Sequence, residues 1–287
     1  MKYEKFVQMV ESELEKRNIK YAHTTISIRG KEQDVILIRV VDDMSVTINP
    51  VLYLKTGFEN YELGESIGAI IEKMLRDYDV KKDEILELIS LIREYESIKQ
   101  YTTCKVINKE RNKLYVKNKG CLHKDFLDLY IIPIIVYDDY AIEITENMRC
   151  VWGVSKSVIF NAALRNLKNE EVKCLNLNRV ILKRDDESGM YAVSNPKLRY
   201  GAAKLLTIQP WEELKRHLGD KYWIIPSSVH ECMAVPFDEH ITATDIRELI
   251  KEVNATEISE EDYLSDNLYE FTGDKIIITE GGVNGEN

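Results

Sequence analysis

Strand-like and helix-like segments come in clusters along this 287-residue chain instead of alternating one by one. Near the start, a helix with an apolar face formed by Phe6, Val7, Val10 and Leu14 precedes three strand-like runs. A long helical block then follows. Strict alternation would predict a doubly wound parallel sheet, whereas clustering favours the α+β class. We therefore expect antiparallel sheets covered by helices, in two similar-sized halves.

The predicted halves are residues 1–148 and 149–279, with the boundary placed within 146–155. Alternating or β-branched runs predict strands at 24–29, 35–41, 44–53, 102–107, 114–117, 130–137, 140–145, 177–182, 190–194, 223–235, 268–271 and 275–279. The tail at 280–287 contains three glycines and two asparagines, and we expect it to be disordered.

The charge balance excludes several classes of partner. The net charge is −10, and Lys and Arg lead binding to nucleic acids, so a nucleic-acid partner is unlikely by composition. An acidic chain is also a poor ligand for an anionic membrane surface. No uncharged apolar run reaches the length of a membrane span, and the opening segment lacks the apolar core of a signal peptide. These features favour a cytoplasmic protein.

The five cysteines predict free thiols and no metal centre. No C-x-x-C pair occurs, and no histidine spacing is typical of a zinc site. The only glycine-rich fragment, residues 64–68, lacks the lysine and preceding strand of a phosphate loop. Paired acids at 42–43, 138–139 and 185–186 lie where turns are expected. The sequence therefore predicts neither a metal nor a cofactor.

The polar cluster in the predicted strand 223–235 is the main candidate for chemistry. Ser228, His230 and Cys232 alternate, so on one strand they would share a face. A hydrolase could use Ser228 or Cys232 with His230 as base. However, neighbours at this spacing lie roughly 6.5–7 Å apart, and no nucleophile elbow is present. We therefore predict no catalytic residue, and interpret the Pro-Ser-Ser segment as a bulge or docking surface.

Several short runs, taken in order, resemble a known family. They are residues 49–53, 152–155, 190–195, 201–203, 225–231, 252–256 and 264–269. Over nearly the whole length the chain resembles the bacterial family 5688 of domains of unknown function. The layout of its C-terminal part is more loosely similar to family 1444. Neither family brings a known activity, so the resemblance implies no catalytic residue. It implies a bacterial cytoplasmic protein that is encoded as an accessory gene of a mobile element.

The favoured function is therefore a non-catalytic binding or regulatory protein that recognises another protein. The expected binding residues are Asn195, Ser227, Ser228, His230, Glu231 and Asn254. Two alternatives stay open, the hydrolase described above and an acidic mimic of nucleic acid. The mimic would need the 49 acidic residues gathered on one face, and they are spread along the chain.

Overall fold

The computed structural model describes residues 2–28, 31–38, 51–138, 140–182, 189–238 and 240–279. The chain divides into two compact units, Met1–Ser97 and Ile98–Asn287. Among the described residues, the strands form three antiparallel sheets that are combined with helices. The predicted α+β class is therefore confirmed.

The first unit pairs a three-stranded sheet with helices. It contains α1 (Lys2–Lys16), β1 (Tyr21–Ile28), β2 (Lys31–Ile38), β3 (Val51–Tyr53), α2 (Leu54–Glu62) and α3 (Ile67–Ile92). The apolar face predicted for α1 is buried, with Phe6, Val10 and Leu14 fully covered. Of the predicted strand 44–53, only Val51–Tyr53 lies within the described residues, where it pairs with β2.

The second unit begins near the short helix α4 (Tyr95–Ile98), which spans the boundary in the sequence. Its strands are β4 (Thr102–Asn108), β5 (Lys124–Phe126), β6 (Leu129–Tyr137), β7 (Tyr140–Glu143), β8 (Lys173–Asn176), β9 (Tyr191–Ser194), β10 (Tyr222–Ser228), β11 (Glu231–Val235), β12 (Tyr269–Phe271) and β13 (Ile276–Ile278). Its helices are α5 (Lys109–Lys119), α6 (Glu146–Trp152), α7 (Lys156–Asn169), α8 (Leu177–Leu182), α9 (Gln209–Leu218) and α10 (Ala243–Thr256), with 3-10 turns at Lys99–Tyr101 and Gly201–Leu206.

Two sheets organise this unit. One has the order β13-β12-β10-β11-β9-β8, and in the other β6 pairs with β4, β5 and β7. A single apolar cluster joins Val106 and Ile132 of the smaller sheet to Tyr222 and Tyr269 of the larger one. Because this core draws on residues from both sides of residue 148, the compact units do not coincide with the predicted halves 1–148 and 149–279. The predicted boundary at 146–155 contains the junction between α6 and α7, where Gly153 ends the first helix and Ser155 caps the second.

Two predicted strands are helices in the structure. Residues 114–117 lie in α5, where the Asn108 side chain caps the first turn and Gly120, at φ 67°, ends the helix. Residues 177–182 form α8, and the Asn176 side chain accepts a hydrogen bond from the Arg179 N–H. In both places a capping asparagine favours helix over the strand propensity of the apolar residues.

The turn predicted at Asp138 is present. Asp138 has φ 48° and joins β6 to β7, a conformation that aspartate tolerates better than most residues. The acid pairs at 42–43 and 185–186 and the tail at 280–287 lie outside the described residues. No helix in the described part of the chain is long and apolar enough to cross a membrane.

Candidate functional site

The segment predicted as one strand, 223–235, turns back on itself. Strands β10 and β11 pair from Trp223 with Val235 to Ile225 with Met233, and a register shift then leads to a pair between Ser228 and Glu231. Pro226 lies within this irregular stretch, where a missing N–H is tolerated. The prediction of a single strand is therefore wrong. His230 lies in the turn and does not share a strand face with its neighbours.

Both nitrogens of the His230 ring are held by other loops. Nδ1 accepts a hydrogen bond from the Tyr200 N–H at 3.2 Å, and Nε2 lies 3.0 Å from Oδ1 of Asp262. Because Nδ1 is an acceptor, the proton of a neutral ring is on Nε2 and is donated to Asp262. The His230 side chain is 37% exposed. The ring is therefore fixed in orientation while one part of it faces solvent.

Neither Ser227 nor Ser228 forms a hydrogen bond with the His230 imidazole among the described residues. Ser228 is buried, and its Oγ accepts a hydrogen bond from the His230 N–H at 3.1 Å. The bond from the Ser228 side chain to the backbone two residues on is typical of a turn. Ser227 is half-buried on β10. Among the described residues, the hydrogen bonds of the imidazole go to Tyr200 and Asp262, so Ser228 does not form a nucleophile–base pair.

Cys232 is a core residue. Its side chain is 1% exposed and belongs to the main apolar cluster of the unit. Burial, together with the nearby Glu231 carboxylate, raises the pKa of the Cys232 thiol far above its ordinary value. The thiolate is the reactive form of cysteine, so this environment suppresses nucleophilic chemistry.

The two predicted asparagines fix loops. Asn195 is buried, and its amide accepts from the Arg199 N–H at 3.2 Å and donates to the Arg199 carbonyl at 3.0 Å. Asn254 donates to the Ser265 carbonyl at 3.0 Å and to Oδ1 of Asp266 at 2.8 Å. The structure thus brings Ser228, His230 and Glu231 together at the turn. Asn195 fixes a neighbouring loop, and Asn254, on α10, fixes the segment at 265–266.

The loop that contains Asn195 is packed tightly against the hairpin turn. The Ser194 hydroxyl donates to the His230 carbonyl at 2.7 Å. A Cβ on Gly201 would lie 2.1 Å from Oγ of Ser194 and 2.5 Å from the same carbonyl oxygen. Only glycine fits there without displacing backbone. The loop and the turn are therefore one rigid surface.

Two residues of this loop have a backbone conformation that favours glycine. Leu198 has φ 51° and Tyr200 has φ 59°. The Leu198 side chain is nonetheless exposed, with 49% of its surface open to solvent. Sequence reasoning did not identify Leu198, because a leucine carries no signal for a left-handed conformation. The Asn-Pro pair at 195–196 was the available signal for a turn.

A charged cluster adjoins the Tyr200 ring. Glu143 accepts from Nζ of Lys105 at 2.6 Å, from the Tyr115 hydroxyl at 2.9 Å and from Nζ of Lys119 at 2.5 Å. Lys105 also lies 5.4 Å from the centre of the Tyr200 ring, whose centre is 5.8 Å from that of His230. These contacts link the cluster to the turn through aromatic packing.

Electrostatics stabilises the ionised form of this glutamate. Burial opposes ionisation, but Lys105 and then Lys119 outweigh it, so the pKa of Glu143 falls to about 2. Burial and the same carboxylate raise the pKa of Tyr115 to about 12. At neutral pH the cluster holds fixed charges and no group poised to exchange a proton.

The described residues contain no group of three or more His, Cys, Asp or Glu side chains placed to hold a metal ion.

A family model matches residues 3–273 of the chain, and it is described as a family of unknown function, DUF5688. No curated protein matches the chain. No solved structure matches it either.

Proposed function

The chain belongs to the DUF5688 family, and we propose that it is a non-catalytic binding or regulatory protein that recognises another protein. The proposed contact surface is the turn patch, formed by Leu198, Arg199, His230, Glu231 and Asp262. The patch retains His230 and Glu231 from the predicted binding residues. Ser228 and Asn195 support the patch through hydrogen bonds with His230 and Arg199, whereas Ser227 and Asn254 are not part of it.

One observation supports this proposal above the others, the conformation and exposure of Leu198. A left-handed backbone costs a residue other than glycine roughly 1–2 kcal/mol. A side chain with 49% of its surface in water gains only part of the burial energy of a core leucine in return. Folding alone therefore favours glycine at this position. A leucine held outward at such a site suits contact with a partner, in keeping with the tendency of strained residues to lie at functional sites.

The rigidity of the loop supports the same function. Asn195 closes the turn through both atoms of its amide, and Gly201 brings the loop against the His230 carbonyl. A surface that is already ordered loses less conformational entropy when it binds. The patch also includes both signs of charge, a positive one from Arg199 and negative ones from Glu231 and Asp262. Such a mixed rim around an apolar residue is typical of protein recognition.

The same geometry gives little support to catalysis. Both ring nitrogens of His230 are engaged with Tyr200 and Asp262, and Cys232 is buried.

The sequence resemblance adds two further proposals, a cytoplasmic location and an accessory role beside a mobile element. Neither is needed for the binding function.

The proposal is tested by replacing Leu198 with glycine. Leu198→Gly keeps the backbone conformation and removes the exposed side chain, so the fold should be retained or slightly stabilised. Proteins captured from the native host would be identified by mass spectrometry, and the affinity of the purified partner would be measured by calorimetry. We expect the Kd to rise by about tenfold or more, as for a central contact residue.

A matched control is Leu114→Ala. Leu114 is 72% exposed on α5, outside the turn patch, so this change should leave the Kd unaltered. Equal affinities for wild type and Leu198→Gly would refute the turn patch as the binding surface. Equal losses in both variants would indicate a general effect of removing exposed leucines and would also count against it.

A further inference from the structure

His23 lies between two carboxylates in the first unit. The residue is on β1, and its Nδ1 is 2.9 Å from Oε1 of Glu11 on α1. Its Nε2 is 2.7 Å from Oδ1 of Asp34 on β2. One imidazole therefore joins three elements, the helix and both strands of the hairpin.

Counting protons shows that this arrangement requires a charged ring. A neutral imidazole carries one N–H and can donate to only one carboxylate. Its other nitrogen would then direct a lone pair at the lone pairs of the second carboxylate. Only the imidazolium donates at both nitrogens, so the observed geometry fits the protonated form.

The groups around His23 reinforce this preference. Tyr3 on α1 donates its hydroxyl to Oδ2 of Asp34 at 2.7 Å, and Tyr21 on β1 donates to Glu15 at 3.3 Å. The charged groups that face the ring are thus Glu11 and Asp34, with Glu15 close by. Within the described residues, no lysine or arginine forms an ion pair with Glu11 or Asp34. The two carboxylates that contact the ring carry two negative charges, and protonation of His23 offsets one of them.

We propose that His23 is a pH-sensitive latch that fastens α1 to the hairpin of β1 and β2. When the ring is charged, it bridges Glu11 and Asp34. When the ring is neutral, one of the two contacts is lost and becomes repulsive. The apolar face of α1 and the bond between Tyr3 and Asp34 do not depend on this proton, so the latch controls local opening of α1 and not the whole fold.

The direction of the pH effect follows from the pKa. Burial works against the charged ring, but the hydrogen bonds to Asp34 and Glu11 outweigh it, so the pKa of His23 is raised above its ordinary value. A group whose pKa is raised by folding stabilises the folded form fully below its ordinary pKa. That contribution is lost as the pH rises through the folded value. The latch therefore opens towards alkaline pH.

The test is hydrogen exchange of the full chain between about pH 5.5 and about pH 8.5, the range in which histidines titrate. After correction for the intrinsic rate, we expect exchange in α1 to accelerate several-fold as the pH rises. His23→Gln, which cannot gain a proton in this range, should abolish that dependence. His240→Gln changes an exposed histidine of the second unit and should leave it intact.

A pH dependence that survives unchanged in His23→Gln would overturn the proposal. If that variant does not fold, nitrogen chemical shifts of the wild-type ring decide the question. Both nitrogens should be protonated near pH 6.5, about the ordinary histidine pKa. A ring that is mainly neutral there would overturn the latch as well.

Discussion

Leu198 and Gly201 are only three residues apart, and they place opposite demands on the same loop. Leu198 occupies a backbone conformation that suits glycine but carries a large side chain. Gly201 has no room for a side chain, because Ser194 and the His230 carbonyl occupy the space of its Cβ. The left-handed backbone at Leu198 has a free-energy cost that contact with a partner would offset. Gly201 makes the close packing of loop and turn possible.

Gly201→Ala should therefore destabilise the second unit. The added methyl group meets Oγ of Ser194 and two backbone atoms, so the loop must move. Overpacking of this kind costs about 1–3 kcal/mol, measured as a lower midpoint in urea denaturation. Gly153→Ala is the control, since its Cβ meets nothing within 4 Å and only the φ of 66° is strained. A loss no larger than that of the control would contradict the packing argument.

Sequence reasoning at this scale succeeded where chemistry is local. The buried face of α1 follows from the spacing of Phe6, Val10 and Leu14. It failed where a residue acts through distant partners. Asp128 accepts hydrogen bonds from Ser265, Asn267 and Tyr269, which come from more than a hundred positions later. Nothing in the local pattern around Asp128 indicates that its carboxylate orders that loop.

At the scale of elements, two similar capping signals have different outcomes. Thr242 and Asp245 form a capping box, and α10 follows it. Ser259 and Asp262 form comparable bonds, at 3.2 Å and 2.9 Å, but the chain makes only a turn. Asp262 is also required by the hairpin, since its carbonyl accepts from the Val229 N–H and its carboxylate holds His230. Tertiary contacts therefore override the helix that the second signal predicts.

Thr242→Ala should weaken the start of α10 by about 1 kcal/mol, the usual cost of losing an N-cap. Thr242 accepts from the Asp245 N–H at 3.2 Å, and alanine cannot replace that bond. Hydrogen exchange should rise in the first turn of the helix. Thr256→Ala, at the opposite end of α10, removes only a bond to the Glu252 carbonyl and should leave the first turn unaffected. The argument fails if both variants expose that turn equally.

The hairpin of β10 and β11 shows why one element was missed. Two-residue turns are recognised in a sequence by Asn, Asp or Gly. The residues here are Val229 and His230, so the run resembles a continuous strand. The turn is imposed from outside, by the bond from Val229 to Asp262 and by the contact of Tyr200 with His230. Propensity alone could not reveal either partner.

For the whole molecule, the antiparallel α+β class followed from the clustering of strands and helices. The compact units did not follow, because the predicted boundary at 146–155 is a junction between two capped helices. The net charge of the chain is −10. Glu143 shows how a mostly buried carboxylate is stabilised in this acidic protein. Its side chain is 11% exposed and contacts two lysines. A buried ion pair of this kind is costly to break, because each remaining charge keeps its desolvation cost.

Glu143 predicts how the stability of the protein depends on acid. Its pKa of about 2 is depressed by folding, so its contribution is complete above the ordinary glutamate value and is lost as the pH falls towards 2. Glu143→Gln should lower the free energy of unfolding at neutral pH by about 2–3 kcal/mol. Denaturant unfolding at a series of pH values should show the two proteins converging below about pH 4.5. Glu110→Gln, an exposed change on α5, should follow the wild type throughout. Parallel curves for Glu143→Gln and wild type would mean that the lysines do not hold this carboxylate in its charged form.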